Sequence, residues 1–235
     1  MTKSYLFFLL LASYINTSCS HDPIITPTPS APKDSTYLAL GDSYTIAESV
    51  DPASSYPMQI SDSLKKANIN LKSVRIIART GWTTGQLQSA IDAAQIKDST
   101  YTLVSLLIGV NNQYRGYSIE EYKTQFTNLL TQAIQFAKGV KTHVFVISIP
   151  DYAFTPYGQG SGDPNQISAE IDRFNAANAA ITKAMGVQYF DITPISRQGI
   201  KDKTLVANDG LHPSAKQYAL WTSLMLTNIK KMIAQ

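Results

Sequence analysis

Residues 102–108 read TLVSLLI, an almost unbroken apolar run. A run this short suits a strand buried on both faces, the environment of a parallel sheet wrapped by helices. The pattern recurs on either side of it. Residues 37–40 (YLAL) and 74–78 (VRIIA) precede it as strand candidates, and 143–149 (HVFVISI) and 187–192 (VQYFDI) follow. Between them lie segments with helical apolar spacing. Residues 56–67 place Met58, Ile60 and Leu64 on one face, and 84–95 do so with Leu87, Ile91 and Ala94. Residues 118–138, 169–185 and 214–233 complete the helices. Ser118 and Glu121 read as a capping box, and Gly139 and Gly186 as stops. Five strands separated by helices predict an α/β fold, three layers deep, around a five-stranded parallel sheet. Right-handed crossovers then place any ligand crevice outside the carboxyl ends of the strands. The long segments 151–166 and 193–210, rich in Gly, Pro, Tyr and Asp, are expected to wall that crevice.

The composition agrees with a globular chain. Of 235 residues, 44% are hydrophobic and 16% charged, enough apolar material for one core of about 200 residues. The net charge of +3 comes without a basic run, so no nucleic-acid partner is expected. At the amino end, Lys3 and the apolar run 6–12 lead to Cys19. That run is too short to span a bilayer and reads as an export signal. Cys19 is the only cysteine, which excludes an intramolecular disulfide. Its place after the apolar run resembles a bacterial lipoprotein signal, in which the cysteine carries lipid, although residues 15–18 (INTS) match that pattern loosely. Residues 20–35 (SHDPIITPTPSAPKDS) form a proline-rich tether. The expected organisation is therefore a signal at 1–19, a tether at 20–35 and one domain at 36–235. Lipidation makes this a cell-envelope protein, periplasmic or surface-facing; simple cleavage makes it a secreted one. Any membrane contact is expected through Cys19 alone, and the domain is expected to be monomeric.

The chemistry-bearing residues fall where the strands end. Gly41-Asp42-Ser43 follows the first strand, placing a serine at the crevice. The tripeptide alone is also an ordinary turn. Asp209-Gly210-Leu211-His212-Pro213 supplies what a serine nucleophile needs: an imidazole base and a carboxylate three residues earlier that can reach it across one turn. Of the other histidines, His21 lies in the tether and His143 opens a buried strand, where a structural role is expected. Metal-ligand spacing and the Gly-x-Ser-x-Gly elbow are both absent from the sequence, and no cofactor is called for. Two further strand ends offer donors to an oxyanion: Gly81, within Arg79-Thr80-Gly81-Trp82, and Asn111, within Gly109-Val110-Asn111-Asn112. Trp82, Tyr114, Tyr117, Tyr152, Phe154 and Tyr157 lie near the same strand ends and are candidates to stack on a sugar or line an acyl groove.

With these motifs in this order, residues 36–235 resemble the SGNH (GDSL-type) hydrolase family. The resemblance implies a flavodoxin-like sheet and an acyl-enzyme mechanism on carboxylic esters. It implies Ser43 as nucleophile and oxyanion donor, Gly81 and Asn111 as the other donors, His212 as base and Asp209 as its partner. One departure is Asn112, where the family commonly has Asp; that neighbour supports the loop rather than reacting. Short-chain or carbohydrate O-acetyl esters are the first expectation for substrate. Lipid or lysophospholipid esters, and acyl transfer by the same triad, are the alternatives; a non-catalytic binding protein is the rival of another class.

Overall fold

The computed structural model describes Met1 and residues 35–234. The expected signal after Met1, the expected lipidation site Cys19 and nearly all of the tether lie outside the described residues. The sheet holds five parallel strands in the order β2-β1-β3-β4-β5: β1 Thr36–Asp42, β2 Ser73–Arg79, β3 Leu103–Leu107, β4 Val144–Ile147 and β5 Gln188–Phe190. β1 and β3 are neighbours, with Leu40 opposite Leu106 and Gly41 opposite Leu107. Nearly every residue of both strands is buried, as the apolar runs require. The one polar residue of TLVSLLI, Ser105, is fully buried. It stands 2.8 Å from Tyr37 Oη and 3.2 Å from Tyr56 Oη, so its hydroxyl is paired inside the core.

Helices cover both faces of the sheet. In chain order they are α1 Ser43–Ile46, α2 Tyr56–Lys66, α3 Thr84–Ala93, α4 Val110–Tyr114, α5 Ile119–Phe136, α6 Pro156–Gly160, α7 Pro164–Ala184, α8 Thr193–Ser196 and α9 Ala215–Ile233. α2 packs against α9, while α5 packs against both α3 and α7. Helix α5 buries Tyr122, Phe126, Leu129, Leu130 and Ala133 along one stripe, and α9 buries Tyr218, Trp221, Met225 and Ile229.

Three expectations shift in detail. At α5, Ser118 Oγ accepts the Glu121 N–H at 3.1 Å, but the Glu121 carboxylate is taken by Gln125 four residues on, so only half a capping box forms. Helix α7 begins at Pro164 rather than 169, because Asp163 accepts the Asn165 N–H and Pro164 occupies the first turn without needing a donor. His143 lies not on β4 but in a 3₁₀ turn, Lys141–His143, that feeds it. There partial burial lowers its imidazole below the ordinary value.

Candidate active site

The carboxyl ends of β1, β2 and β3 converge on one cavity of about 170 Å³. β1 turns directly into α1, and this turn sets Ser43. Asp42 caps it, its Oδ1 accepting the Tyr44 N–H at 3.1 Å. Gly41 is needed for a steric reason. A Cβ there would stand 2.0 Å from Thr45 Oγ1 and 2.5 Å from the Leu107 carbonyl, both impossible approaches. Ser43 is thereby held at the bottom of the crevice, only 4% exposed.

The second side comes from the ends of β2 and β3. Gly81 takes φ +81°, a backbone region that side chains resist, and its carbonyl accepts Arg115 Nη2 at 2.6 Å. Among the described residues no backbone hydrogen bond engages the N–H of Gly81. Asn111 lines the same cavity from α4. One Nδ2 hydrogen of Asn111 is donated to the Trp82 carbonyl at 3.0 Å, which orients the amide and leaves its second hydrogen uncommitted.

The third side is the hairpin before α9. Val206 bridges Pro213, the Ala207 N–H donates to the His212 carbonyl at 2.7 Å, and the Ser214 N–H donates to the Leu205 carbonyl at 2.8 Å. Within it, Asp209 Oδ1 accepts the N–H groups of Leu211 and His212 at 2.9 and 3.0 Å, and Oδ2 meets His212 Nδ1 at 2.5 Å. Burial works to raise the Asp209 carboxyl. The hydrogen bonds from the His212 ring, the two N–H groups and Ser49 outweigh it and hold the group down at about 2. Asp209 is thus a fixed anion, and its contact with Nδ1 sets the tautomer that leaves Nε2 able to accept a proton. The imidazole packs edge-on to Tyr44, ring centroids 5.6 Å apart. Ser43 and His212 line one cavity without a direct hydrogen bond among the described residues; such contacts in unliganded sites are commonly long and tighten with substrate.

A serine hydroxyl, an oriented imidazole, an uncommitted backbone N–H at Gly81 and a carboxamide around one small cavity form the kit for acyl transfer through a serine ester. Over residues 39–220 the chain matches the model of the GDSL-like lipase/acylhydrolase family. The chain belongs to that family. It is accordingly an ester hydrolase of the GDSL/SGNH type. No curated protein sequence matches it. Three solved structures illustrate its likeness in fold. A psychrotrophic esterase from Pseudoalteromonas sp. aligns with TM-score 0.66 at 19% identity, over 86% of this chain and 100% of that one. An acetylxylan esterase from Geobacillus stearothermophilus gives 0.65 at 18%, over 86% and 96%. A lipase/acylhydrolase from Enterococcus faecalis gives 0.65 at 18%, over 84% and 96%.

Asn112, the departure from the usual GDSL-family residue, is fully buried. Its Oδ1 accepts the Thr84 N–H at 3.0 Å, and its Nδ2 donates to Thr84 Oγ1 at 2.7 Å. The Thr84 hydroxyl, having accepted, donates onward to Gln125 Oε1. An aspartate would instead take that hydroxyl's proton, so the asparagine fits a threonine that already has an acceptor on α5.

The aromatic candidates divide. Tyr114, Tyr152 and Tyr157 line the cavity. Trp82 reaches the site only through its carbonyl, and Phe154 faces Arg197, 5.9 Å from its ring centroid; neither they nor Tyr117 are among the residues lining the cavity. Segment 151–160 is pinned by contacts that span the chain. Asp151 Oδ2 accepts Ser168 Oγ at 2.6 Å and Arg197 Nε at 2.9 Å, and Arg197 Nη2 reaches Asp172 at 2.6 Å. The Tyr157 N–H donates to the Gly210 carbonyl at 2.9 Å, joining α6 to the hairpin of His212. Tyr114 Oη and Tyr157 Oη stand 2.8 Å apart, so a pair of tyrosines links the Asn111 side of the cavity to the His212 side. Among the described residues, no group of three or more His, Cys, Asp or Glu is arranged to hold a metal ion.

Proposed function

We propose that this enzyme cleaves short-chain carboxylic esters, with O-acetyl groups on carbohydrate as the first substrate class. In this reading Ser43 Oγ attacks the ester carbonyl while His212 Nε2 takes its proton, and the Ser43 and Gly81 N–H groups and the Asn111 amide receive the oxyanion. His212 then protonates the leaving alcohol, and water, activated by the same imidazole, releases the acid from Ser43. Asp209 stays ionised throughout.

The observation that carries the substrate reading is the cavity itself. Its 170 Å³ is close to the ~150 Å³ that holds a single benzene ring, a volume that suits a small acyl group and part of one ring. Tyr114, Tyr152 and Tyr157 give it aromatic walls with hydroxyls, a surface suited to an amphipathic alcohol such as a sugar. An acetylxylan esterase and a lipase share the fold, so fold does not decide between them. One observation favours a longer acyl chain as the second reading. A groove of about 610 Å³, lined by Ile46, Val50, Met58 and Ile76 among others, lies beside the site. The walls of groove and cavity are joined by the Glu48 N–H, which donates to the Ser43 carbonyl at 3.1 Å, and by a hydrogen bond from the Thr80 hydroxyl to the Glu48 carboxylate.

The test is kcat/KM against p-nitrophenyl esters from acetate to decanoate, beside acetate release from an acetylated glycan. The proposal predicts a steep fall beyond butyrate together with glycan deacetylation. A maximum at octanoate or longer, with the glycan untouched, selects the groove reading.

A further inference from the structure

Four and six residues after Ser43 the backbone takes an unusual course. Ala47 and Ser49 have φ of 62° and 66°, the left-handed region where glycine is at ease and an L side chain is strained. Neither position carries glycine. At Ser49 the strained residue does something glycine could not: its Oγ donates to Asp209 Oδ2 at 2.7 Å, joining positions 160 apart in sequence. That oxygen is the one that meets His212 Nδ1, while Oδ1 is occupied by the two N–H groups of the hairpin. All four hydrogen-bonding directions of the carboxylate are therefore used, and the Ser49 hydroxyl shares the oxygen that faces the imidazole. Strain held in place by a contact to a reactive group marks a functional constraint.

We propose that Ser49 is a positioning residue of the reaction, its hydroxyl locking the rotation of the Asp209 carboxylate and withdrawing charge from the oxygen that supports His212. It acts through Asp209 and touches no substrate. The same turn begins at the nucleophile, with the Glu48 N–H donating to the Ser43 carbonyl at 3.1 Å, so Ser49 ties the segment of Ser43 to the hairpin of His212. The inference rests on the triad reading given above. The titratable groups around the imidazole are Asp209, Tyr44, Tyr114, Tyr152 and Tyr157, with Asp42 and Asp151 acting on Tyr44. Glu48, on the turn itself, bonds to Thr80. None of these is changed by substitution at Ser49.

The experiment uses the purified full chain with Ser49→Gly and Ser49→Ala. Glycine removes both hydroxyl and strain, and alanine removes the hydroxyl alone. Without the competing donor, Asp209 supports the imidazolium more strongly. The acid limb of kcat/KM for p-nitrophenyl acetate should then move up by roughly half a pH unit in both variants. Looser orientation should lower plateau kcat by roughly 3–10-fold. The low-field proton resonance of His212 Nδ1–H should shift downfield in both. An unchanged acid limb and an unchanged resonance in Ser49→Gly overturn the proposal, as does an effect in Ser49→Ala that Ser49→Gly lacks, which would trace to the backbone. Ser43→Ala serves as reference: if it keeps full activity the triad reading itself fails, whereas an inactive Ser43→Ala beside an unaltered Ser49→Gly defeats only this inference.

Discussion

Asp42 sits directly before the nucleophile and is fully buried, with Oδ1 on the Tyr44 N–H and no hydrogen-bond partner at Oδ2. Burial pushes its carboxyl up to about 8, against a smaller lowering by the Tyr44 N–H. An unfolded aspartate titrates near ~3.9, so between about pH 4 and 8 the native state holds a proton that the unfolded chain has released. The contribution of this carboxyl to stability therefore falls as pH rises through that window. Asp42→Asn keeps the Oδ1 acceptor and removes the ionisation. Its urea midpoint should be flatter between pH 4.5 and 7.5 than that of the native chain and should exceed it at the upper end; parallel curves would contradict the protonated state. Asn111 makes the second prediction at this scale. With one amide hydrogen on Trp82 and one open to the cavity, Asn111→Ala should lower kcat by roughly 10²–10³-fold while leaving KM within a few-fold, measured on p-nitrophenyl acetate.

At the scale of elements, the start of α3 holds much of the oxyanion side in place. Thr83 and Gln86 form a full capping box: Oγ1 accepts the Gln86 N–H at 3.4 Å and Gln86 Oε1 accepts the Thr83 N–H at 3.0 Å. Asn112 fixes the next residue, Thr84. Thr83→Ala should cost about 1 kcal/mol in urea unfolding. The box at Thr83 has the same residue pattern as Ser118 to Glu121, where the structure completes only half. The difference lies at i+4: Gln125 captures Glu121, while Gln86 remains available to Thr83. Local pattern marks where a cap can form, and the competition for its side chains is decided by neighbours on the helix and beyond. For the same reason β5 shortens to three residues and α7 extends back to Pro164, since edge pairing and an Asp163 cap set those ends.

Across the whole molecule, the sheet order brings together three strand ends and one hairpin. Ser43, Gly81 and Asn111 follow neighbouring strands, and His212 arrives from a hairpin leading into α9, which is docked on α2 and bonded there by Gln59 Nε2 to the Ala215 carbonyl at 3.1 Å. This much is legible in sequence because buried parallel strands announce themselves as apolar runs and their carboxyl ends are where a crevice must open. The tyrosine walls are not legible in the same way. Tyr157 is placed by Gly210, and the segment bearing Tyr152 by Arg197 and Ser168, contacts with no periodicity to read. Ser49 is a further case, since nothing in residues 47–50 signals a bond to Asp209. One serine, at the end of β1, is expected to form the acyl-enzyme. A fluorophosphonate probe followed by peptide mass analysis should find one adduct, on Ser43. Ser43→Ala should abolish that adduct together with ester hydrolysis, with the urea midpoint little changed. An adduct on another residue, or hydrolysis surviving in Ser43→Ala, would rule out Ser43 as the nucleophile.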